Sequence, residues 1–544
     1  MVHYISYLEK TIKENWDKEG LTNYKGKSFT YGEIGTEIMK LHIVFEKQGI
    51  NPGDKIALCA KNTANWCIAF LAITSYGAVA VPILNDFLPE SVQYLTDHSD
   101  SLLLFTEKGT LAKLDTTQMP KLKGVISTED YSAIYSNDGQ LDDTIKNLDS
   151  YFAQKYPNGI TPDDIKFTIG DLDDLSIISY TSGTTSSPKG VMLSARSISS
   201  NREFSIKGVP NTPGETVVSM LPLAHMYGLT IELIYPITTG CHVYLLGKVP
   251  SPALLLQALA EVKPYMVVTV PLVLEKIIKN KVMPVIDKWY MKILLAIPGI
   301  NSIIWSSIRK KLMAAFGGNV REVIMGGAAI SESVEAVMRK VGLPYTIGYG
   351  MTECGPLVGY ESAKNFKPRS CGKIVDRMSV RIDSENPQKI VGEIQLKGDH
   401  VTMGYFKNPE ATEASFTEDG WLKTGDLGLI DKEGNMFIKG RAKNMILTSN
   451  GQNIFPEEVE DKINCQLYVN DSIVVCRDEK IVALVYPDYD SLKEAQIDID
   501  TFSTDLLAKA NLLLPNYSKI SKIEIRKEDF ERTPKRSIKR FLYK

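Results

Sequence analysis

Cysteine is scarce in this sequence, and its spacing does not suggest a shared role. Seven cysteines are spread over 544 residues, and no two of them lie in a CxxC arrangement. A zinc centre or a disulfide framework would need closely spaced or regularly paired cysteines, so we predict neither. We expect reduced thiols in a cytosolic protein at all seven positions, which are Cys59, Cys67, Cys241, Cys354, Cys371, Cys465 and Cys476.

Long apolar runs are missing as well. No stretch is apolar without interruption over the length that a membrane-spanning helix requires. The first residues, Met1–Lys10, lack the basic start and the apolar centre of a signal peptide. We therefore expect a cytoplasmic protein.

Neither sign of charge prevails. The chain has 62 lysines and arginines against 65 aspartates and glutamates, a net charge of −3. This balance argues against a nucleic-acid-binding protein, which would need a basic face. An apolar content of 44% with 23% charged residues is ordinary for a globular protein, and 544 residues exceed what one core can serve, so we expect two or more domains.

Apolar, strand-like runs alternate with helical patterns in the first half of the chain. The strand candidate Lys55–Ala60 is followed by the strongly apolar helix candidate Asn65–Tyr76 and by a second strand, Ala78–Pro82. Further strand candidates are Thr216–Met220, His242–Leu246 and Met266–Val270. This order is typical of an α/β fold and predicts parallel sheets with crossover helices.

The pattern of residue types changes after about Val391. Glycines now separate short strand candidates, which are Gly392–Leu396, Gly428–Asp431 and Asn435–Lys439. We predict an N-terminal domain over residues 1–440, with a β-rich subdomain at about 370–440, and a small mobile α+β domain over residues 441–544. The small domain should contain helices Pro456–Asn464 and Asp500–Leu513 and strands Ser472–Cys476 and Ile481–Tyr486. A mobile joint is expected between Gly440 and Met445.

Hydroxyl side chains crowd the loop Tyr180–Gly190, which follows the apolar run Leu175–Ser179. The loop holds six Ser/Thr residues, two glycines and Lys189. Glycines let backbone N–H groups approach anionic oxygens, hydroxyls add donors, and a lysine adds positive charge, so the loop suits a polyphosphate. It is not a Walker loop, because Gly190 is followed by Val191. The alternative is a Ser/Thr-rich surface turn.

Two shorter motifs could complete a nucleotide site. Tyr349-Gly350-Met351-Thr352-Glu353 combines an aromatic ring, a glycine, a hydroxyl and a carboxylate, which suit a purine, close approach, a phosphate and a hard cation. In Thr424-Gly425-Asp426-Leu427-Gly428 an aspartate on a glycine-flanked turn could accept two ribose hydroxyls. Arg441 could clamp the same sugar or its phosphate. Taken alone, the first motif could equally be an ordinary turn, and the second would more often be only a turn.

Four blocks occur in a fixed order: TSGTTSSPKG, YGMTE, TGDLG and GRAKNMILTSNGQNIFPEEVE. Together they resemble the adenylate-forming superfamily of acyl-CoA synthetases, adenylation domains and luciferases, from about Phe29 to the C-terminus. Within it the chain looks most like the long-chain fatty acid:CoA ligases. That similarity depends on KGDH at 397–400 leading into GYFKNPEAT at 404–412, on Lys443, and on a long insertion after Val270-Pro271.

The resemblance implies a site for ATP. Residues 181–189 would cradle the β- and γ-phosphates, with Thr184 among the catalytic residues, and residues 327–329 with Tyr349 would enclose adenine. Thr352 would touch the α-phosphate, Glu353 would hold Mg²⁺, and Asp426 and Arg441 would bind the ribose. The residues implied for ATP are Thr181, Ser182, Gly183, Thr184, Thr185, Lys189, Gly327, Ala328, Ala329, Tyr349, Gly350, Met351, Thr352, Asp426 and Arg441.

The resemblance also implies roles outside the nucleotide site. His225 matches a residue that helps to gate the acyl and pantetheine tunnels, although a histidine beside an apolar run is more often structural. Lys443 matches the hinge about which the small domain rotates between two half-reactions, and its alternative is a solvated surface lysine. Ser449, Asn450 and Gly451 would then line the route of the CoA thiol.

The sequence departs from the family pattern at two places. Ser186 stands where glycine is usual, which matters only if that position requires a positive φ. More serious is the tail, where Ser537 occupies the slot of a lysine that bridges the carboxylate and the α-phosphate during adenylation. Either a neighbouring cation, Lys535, Arg536 or Lys539, takes over, or the first half-reaction is slow, because losing a positioned cation can cost on the order of 10²–10³ in rate.

The insertion contains an apolar and aromatic stretch over residues 287–312, broken by Pro298-Gly299 and edged with lysines and arginines. Such a segment suits a surface helix pair that dips into lipid at the inner face of the membrane. A helical hairpin packed on the core is the alternative.

Taken together, these features predict a ligase that activates a fatty acid with ATP and Mg²⁺ and transfers it to CoA. A close rival would pass the acyl group to an acyl carrier protein instead. A rival of another class is a degenerate paralogue that binds ATP or acyl chains with weak adenylation, which the serine at position 537 makes credible. No nucleic-acid partner is expected.

Overall fold

The computed structural model describes residues 1–181, 188–247, 251–447, 453–477, 480–532 and 538–543. They form an α/β fold with two large mixed sheets, smaller antiparallel sheets and a separate C-terminal domain. The predicted fold class is therefore confirmed.

The first large sheet has eight strands with a parallel centre. The predicted strand–helix–strand unit is present as strand Lys55–Cys59, helix Ala64–Ser75 and strand Val79–Pro82, with the two strands paired in parallel. The helix is buried along nearly its whole length, as its apolar composition predicts. In spatial order the strands are Gly404–Tyr405, Lys189–Ser194, Leu175–Thr181, Val79–Pro82, Lys55–Cys59, Ser101–Thr106, Gly124–Ser127 and Ala133–Ser136.

The second large sheet has seven strands, and all but the last run parallel. The three strands predicted here lie at Thr216–Ser219, His242–Leu245 and Met266–Thr269. An N-terminal hairpin that was not predicted from the sequence, Glu19–Asn23 with Ser28–Thr30, extends the sheet beyond His242–Leu245. The order of the strands is Tyr345–Ile347, Glu322–Met325, Met266–Thr269, Thr216–Ser219, His242–Leu245, Glu19–Asn23 and Ser28–Thr30.

A four-stranded antiparallel sheet forms the β-rich part, in the order Met378–Asp383, Gly392–Gly398, Leu422–Ile430 and Met436–Arg441. Here one prediction is wrong: the segment 424–428 is not a turn but lies inside strand Leu422–Ile430. Gly425 has φ +68°, and the register shifts between Leu427 and Gly428. A bulged strand with a left-handed glycine uses the residue types of a turn, which explains the error.

The C-terminal domain has its own apolar core, which includes Val459, Ile463 and Leu506. Among the described residues, the cores of the rest of the protein take no side chain from it. Its elements are strands Ile446–Leu447, Asn453–Ile454, Val469–Arg477, Lys480–Pro487 and Lys522–Ile525 and helices Pro456–Asn464, Tyr489–Glu494 and Ile499–Leu512.

The two domains meet along helix Pro456–Asn464. Lys462 pairs with Glu332, and Nη2 of Arg369 lies 3.3 Å from Oδ2 of Asp461. Nζ of Lys279 donates to the carbonyl of Asn464 at 3.1 Å. These three contacts are polar, unlike the packing inside either domain.

The remaining elements cover the sheets. A three-stranded sheet consists of Tyr349–Gly350, Leu357–Tyr360 and Lys373–Ile374. The other α-helices are Tyr4–Glu14, Tyr31–Lys47, Pro89–His98, Lys108–Leu111, Gln140–Lys146, Leu148–Lys155, Ala195–Gly208, Met226–Gly228, Tyr235–Ile237, Pro252–Val262, Pro271–Ile277, Met283–Ile286, Trp289–Ala296, Ile300–Ala315, Glu332–Val341 and Pro409–Ser415. Segments Leu229–Ile234 and Ile278–Val282 are π-helical.

Candidate active site

The predicted adenine residues follow two neighbouring strands of the second sheet. Strands Glu322–Met325 and Tyr345–Ile347 pair in parallel, so the segments after them meet at one edge. The first leads to Gly327, Ala328 and Ala329, which are exposed, with Gly327 at φ +85°. The second leads to Tyr349. The structure therefore places these two predicted groups at the same edge of the sheet.

Gly326 lets an aromatic ring approach this edge. A Cβ atom at position 326 would lie 3.1 Å from Cζ of Tyr227, which leaves little room for a larger residue. The Tyr227 hydroxyl donates to the carbonyl of Ile324 at 3.2 Å. This ring thus supports the start of the loop that carries the predicted adenine residues.

Asp426 joins Tyr349 and Arg441, and all three residues were predicted to bind one nucleotide. The Tyr349 hydroxyl donates to Oδ2 of Asp426 at 2.6 Å, and Nε of Arg441 lies 2.7 Å from Oδ1. Asp426 and Arg441 are also direct partners across the sheet. Burial raises the pKa of the Asp426 carboxyl, and the neighbouring Arg441 acts in the opposite direction.

A buried asparagine holds the segment that follows Tyr349. Asn201, in helix Ala195–Gly208, donates to the carbonyl of Cys354 at 3.0 Å and accepts the N–H of Leu357 at 2.9 Å. The Thr230 hydroxyl donates to the carbonyl of Gly355 at 3.0 Å. Together these side chains fix the 3₁₀ turn Thr352–Cys354, and with it the predicted phosphate and metal residues.

Glu353 lies beside the strand that closes the predicted phosphate loop. Its Oε1 accepts the Tyr405 hydroxyl at 3.0 Å. Strand Gly404–Tyr405 pairs with Lys189–Ser194, and Nζ of Lys189 lies 4.9 Å from the centroid of the Tyr405 ring. The predicted carboxylate and the predicted loop lysine are therefore connected through one tyrosine.

The phosphate loop itself is described only at its two ends. Thr181 and Lys189 face each other as partners in the antiparallel pair Leu175–Thr181 and Lys189–Ser194. The predicted loop is thus shorter than expected, because both ends belong to strands. Ser182, Gly183, Thr184, Thr185 and Ser186 lie outside the described residues.

A buried glutamate, which no sequence motif had indicated, lies below the segment 219–221. Oε2 of Glu232 accepts three hydrogen bonds, from the hydroxyl of Ser219 at 3.0 Å and from the N–H groups of Met220 at 3.1 Å and Leu221 at 3.0 Å. Within the described residues its Oε1 has no hydrogen-bond partner. Burial raises the pKa of Glu232 to about 8, and the three donors on Oε2 act in the opposite direction.

His225 follows this segment by a few residues. It is half-buried at the N-terminus of the short helix Met226–Gly228, and its N–H donates to the carbonyl of Pro222 at 3.0 Å. Because Glu232 fixes the segment just before it, Glu232 contributes to the position of His225. The predicted role of His225 as a tunnel gate stays a prediction.

The predicted hinge lies between a strand and a two-stranded sheet. Lys443 belongs to the 3₁₀ turn Ala442–Asn444, directly after strand Met436–Arg441. Nδ2 of Asn444 donates to Oε1 of Glu457 at 2.7 Å, which ties the turn to the C-terminal domain. Ser449, Asn450 and Gly451 lie outside the described residues.

The tail is described on both sides of the lysine slot. Arg532 and Ile538 form a β-bridge, and Nζ of Lys539 lies 3.3 Å from Oε2 of Glu531. Arg540 pairs with the buried Glu460. Residues 533–537, which include Lys535, Arg536 and Ser537, lie outside the described residues. Of the three cations that could replace the missing lysine, Lys539 already has an anionic partner.

Comparison with known proteins identifies related sequences over nearly the whole chain. The model of the AMP-binding enzyme family matches residues 8–406, and that of the AMP-binding enzyme C-terminal domain matches residues 443–543. The chain is 28% identical to long-chain-fatty-acid–CoA ligase FadD15 of Mycobacterium bovis, over 94% of this chain and 89% of that protein. It is 27% identical to 4-coumarate–CoA ligase 2 of Petroselinum crispum, over 86% and 81%.

Solved structures show the same fold. The anthranilate CoA ligase AuaEII in complex with anthranoyl-AMP superimposes with a TM-score of 0.80 at 18% identity, covering 99% of this chain and 96% of that one.

Proposed function

Because the chain belongs to the AMP-binding enzyme family, we propose that it activates a fatty acid with ATP and transfers the acyl group to CoA. The first step would form acyl-AMP and pyrophosphate, and the second would form acyl-CoA and AMP. The acid and the acceptor are the parts of this proposal that go beyond the family.

The shared contacts of Asp426 with Tyr349 and Arg441 are the observation that carries the proposal. A carboxylate oxygen can accept about two hydrogen bonds, and Tyr349 and Arg441 each take up one position on a different oxygen of Asp426. A second acceptor position on each oxygen can then serve a ribose hydroxyl. The fixed ring of Tyr349 and the exposed segment 327–329 lie at the same edge, where a purine would bind.

The chemistry explains why a nucleotide is needed. A carboxylate is a poor electrophile because it would have to expel oxide, whereas a mixed anhydride expels AMP. The carboxylate oxygen attacks the α-phosphorus in line, and the bond to pyrophosphate breaks. Lys189, at the end of the predicted phosphate loop, would stabilise the charge that develops on the departing pyrophosphate.

Glu353 fits the role of a magnesium ligand. Mg²⁺ in nucleotide sites usually takes one or two carboxylates together with substrate phosphates. Over the described ranges no group of three or more His, Cys, Asp or Glu side chains is placed to hold a metal, which agrees with an ion bound mainly by the nucleotide. When bound, such an ion neutralises phosphate charge. Tyr405 would orient the carboxylate toward it through the 3.0 Å hydrogen bond.

The second step needs a different set of groups around the acyl carbon. We infer that the C-terminal domain rotates about Lys443 and brings residues 449–451 toward the adenylate, where the thiolate of CoA attacks the carbonyl carbon and AMP departs with the electron pair. A hinge of this kind needs a few residues that absorb a large dihedral change, and the short turn Ala442–Asn444 is such a segment.

A fatty acid is the substrate class that the similarity to FadD15 favours, since that relative is matched over most of both chains. The similarity to a 4-coumarate–CoA ligase makes an aromatic acid the natural competitor. The discriminating experiment supplies purified protein with ATP, Mg²⁺ and CoA and with either palmitate or 4-coumarate, and measures pyrophosphate and acyl-CoA separately.

We expect equal amounts of pyrophosphate and palmitoyl-CoA and little product from 4-coumarate. Glu353→Gln should lower pyrophosphate release by about 10²–10³, whereas the exposed Glu410→Gln, from the neighbouring helix Pro409–Ser415, should behave like the wild type. Preference for 4-coumarate would refute the proposed acid. Product on a holo acyl carrier protein but not on CoA would refute the proposed acceptor.

A further inference from the structure

Two helices of the long insertion protrude from the core around the second large sheet. Trp289–Ala296 and Ile300–Ala315 follow each other across Pro298-Gly299 and are bent by 117°. The first helix, which is described throughout, has no buried residue, and in the second Leu312 is the buried one. Trp305 and Ile308 pack against the core. The pair is therefore anchored at its C-terminal half and exposed elsewhere.

The exposed part is strongly apolar. Trp289 is 75% exposed, Ile303 71% and Ile293 56%, and three further apolar side chains are also exposed. We call these six residues the hairpin surface: Trp289, Tyr290, Ile293, Ile297, Ile300 and Ile303. A concentration of large exposed apolar side chains on one surface element usually marks an interaction site.

Basic residues are frequent in the sequence on both sides of the hairpin surface. Between residues 275 and 311 the chain has eight lysines and arginines and two acids, Glu275 and Asp287, although the whole protein has a net charge of −3. The eight are Lys276, Lys279, Lys281, Lys288, Lys292, Arg309, Lys310 and Lys311. Lys292 lies 3.5 Å from Asp287, and Lys279 lies 3.7 Å from Glu275 and contacts the C-terminal domain. Lys310 and Lys311 are exposed.

We propose that the hairpin surface binds to a lipid bilayer that contains anionic lipids. The six apolar side chains would enter the boundary between headgroups and acyl chains, and exposed cations such as Lys310 and Lys311 would contact the headgroups. Trp289 and Tyr290 carry the amphipathic rings that are enriched at this depth. The inference concerns where the protein resides and stands apart from the identity of its acid, although a fatty acid would be drawn from the same bilayer.

The helix geometry favours lying on the bilayer over crossing it. Over the part of the chain that the structure covers, no single helix is long and apolar enough to span a membrane, and the pair reaches the required length only together. A bend of 117° turns the second helix back toward the protein, where Trp305 and Leu312 are held by the core. This shape exposes a shallow apolar edge, which matches an interfacial element.

A second copy of the chain is a poorer match for this surface. Two hairpin surfaces in contact would bring two sets of exposed cations, among them Lys310 and Lys311, together, and like charges across an interface oppose association. An anionic bilayer is complementary to both features, because it accepts the apolar side chains and attracts the cations.

The test is sedimentation of the full-length protein with vesicles, in the absence of ATP, acid and CoA. We expect binding to vesicles of phosphatidylcholine with phosphatidylglycerol, weaker binding to phosphatidylcholine alone, and a decrease as salt is added, because salt screens the cations. Since no substrate is present, failure here and failure of the proposed ligase activity can be told apart.

Two double variants separate the apolar and the electrostatic contributions. I293S/I303S should weaken vesicle binding by at least about tenfold, since burial of two isoleucines is lost. K310Q/K311Q should weaken it by about tenfold on anionic vesicles only. The matched control is Leu512→Ser, because Leu512 is 85% exposed but lies in the C-terminal domain; this variant should bind like the wild type.

Tryptophan fluorescence supplies an independent measurement. Trp289 is the most exposed of the five tryptophans, so vesicles should shift its emission to the blue. Trp289→Phe should lose most of that shift and still sediment. The proposal is overturned if the wild type does not bind anionic vesicles, or if I293S/I303S binds them as well as Leu512→Ser does. It is also overturned if the hairpin variants instead abolish a protein dimer that forms without lipid.

Discussion

The Tyr349 hydroxyl donates a 2.6 Å hydrogen bond to the carboxylate of Asp426, a residue 77 positions further along the chain. Nε of Arg441 lies 2.7 Å from the other oxygen of the same carboxylate. These two contacts fix an aromatic ring and an acceptor group relative to each other before a nucleotide binds. Such preorganisation lowers the cost of binding, because less side-chain freedom has to be lost.

Removing the hydroxyl of Tyr349 tests this arrangement. Tyr349→Phe keeps the ring but removes the hydrogen bond that the hydroxyl donates to the charged carboxylate of Asp426. A hydrogen bond to a charged group contributes about 1.5–3 kcal/mol. We expect the KM for ATP to rise by about tenfold or more in a pyrophosphate-release assay, with the KM for CoA unchanged. An unaltered KM for ATP would show that Asp426 does not need this tyrosine.

The buried side chain of Asn201 should support both stability and activity. Asn201→Ala leaves the carbonyl of Cys354 and the N–H of Leu357 without their partner, and each buried unsatisfied group costs about 1–3 kcal/mol. We expect a loss of that order in the free energy of unfolding by urea and a lower kcat/KM.

Asn201→Asp separates the two contacts, since aspartate can still accept from Leu357 but cannot donate to Cys354. Because an ionised aspartate would place an unpaired charge at this fully buried position, its stability at neutral pH should fall below that of the alanine variant. The exposed Asn319→Ala serves as control and should change stability by less than about 0.5 kcal/mol. Equal stability of Asn201→Ala and Asn319→Ala would contradict the positioning role.

Glu232 should make stability depend on pH. Burial raises its pKa from 4.5 to about 8, so the folded protein retains a proton that the unfolded chain releases above pH 4.5. The contribution of Glu232 to the free energy of unfolding is therefore fully present below pH 4.5. It falls as the pH rises toward about 8, by at most about 1.4 kcal/mol per pH unit.

Glu232→Gln keeps the shape and the accepting oxygen but does not titrate. Urea unfolding at a series of pH values should show that the variant gains stability relative to the wild type as pH rises through this range. Parallel profiles for the two proteins would mean that Glu232 is already ionised in the folded state.

The lysine slot at position 537 can be tested by separating the half-reactions. Lys539 pairs with Glu531, so Lys539→Ala should change pyrophosphate release little. We expect Lys535→Ala or Arg536→Ala to reduce it by about 10²–10³, while transfer from preformed acyl-AMP to CoA continues. A large gain with Ser537→Lys, without a loss in the three alanine variants, would instead show that the first step is limited by the missing cation.

The sequence predicts helices and strands well where the spacing of apolar residues or a strongly apolar composition defines them. Helix Pro456–Asn464 has the predicted bounds, and the buried helix Ala64–Ser75 differs by one residue at each end. The glycines of the segment 424–428 are typical of a turn and predict one, yet cross-strand pairing keeps the segment in a strand. Local residue types do not reveal such pairing.

Side-chain partners that are distant in the chain could not be predicted in the same way. Asn201 lies 153 residues from Cys354, and Tyr405 lies 52 residues from Glu353. Glu232 resembles any acid within an apolar helix until its three donors are seen. These contacts depend on how two sheets and a helix are placed, which composition and spacing do not determine.

The C-terminal domain shares no described core side chain with the rest of the molecule. A rotation of this domain about the segment near Lys443 would therefore expose little apolar surface. The main contacts to break would be ion pairs such as those of Lys462 and Arg369. Each partly exposed ion pair of this kind contributes roughly 0.2–1 kcal/mol to the contact between the two domains. In the proposed rotation, thermal energy alone can supply that, and the bound ligand would decide which position the domain adopts.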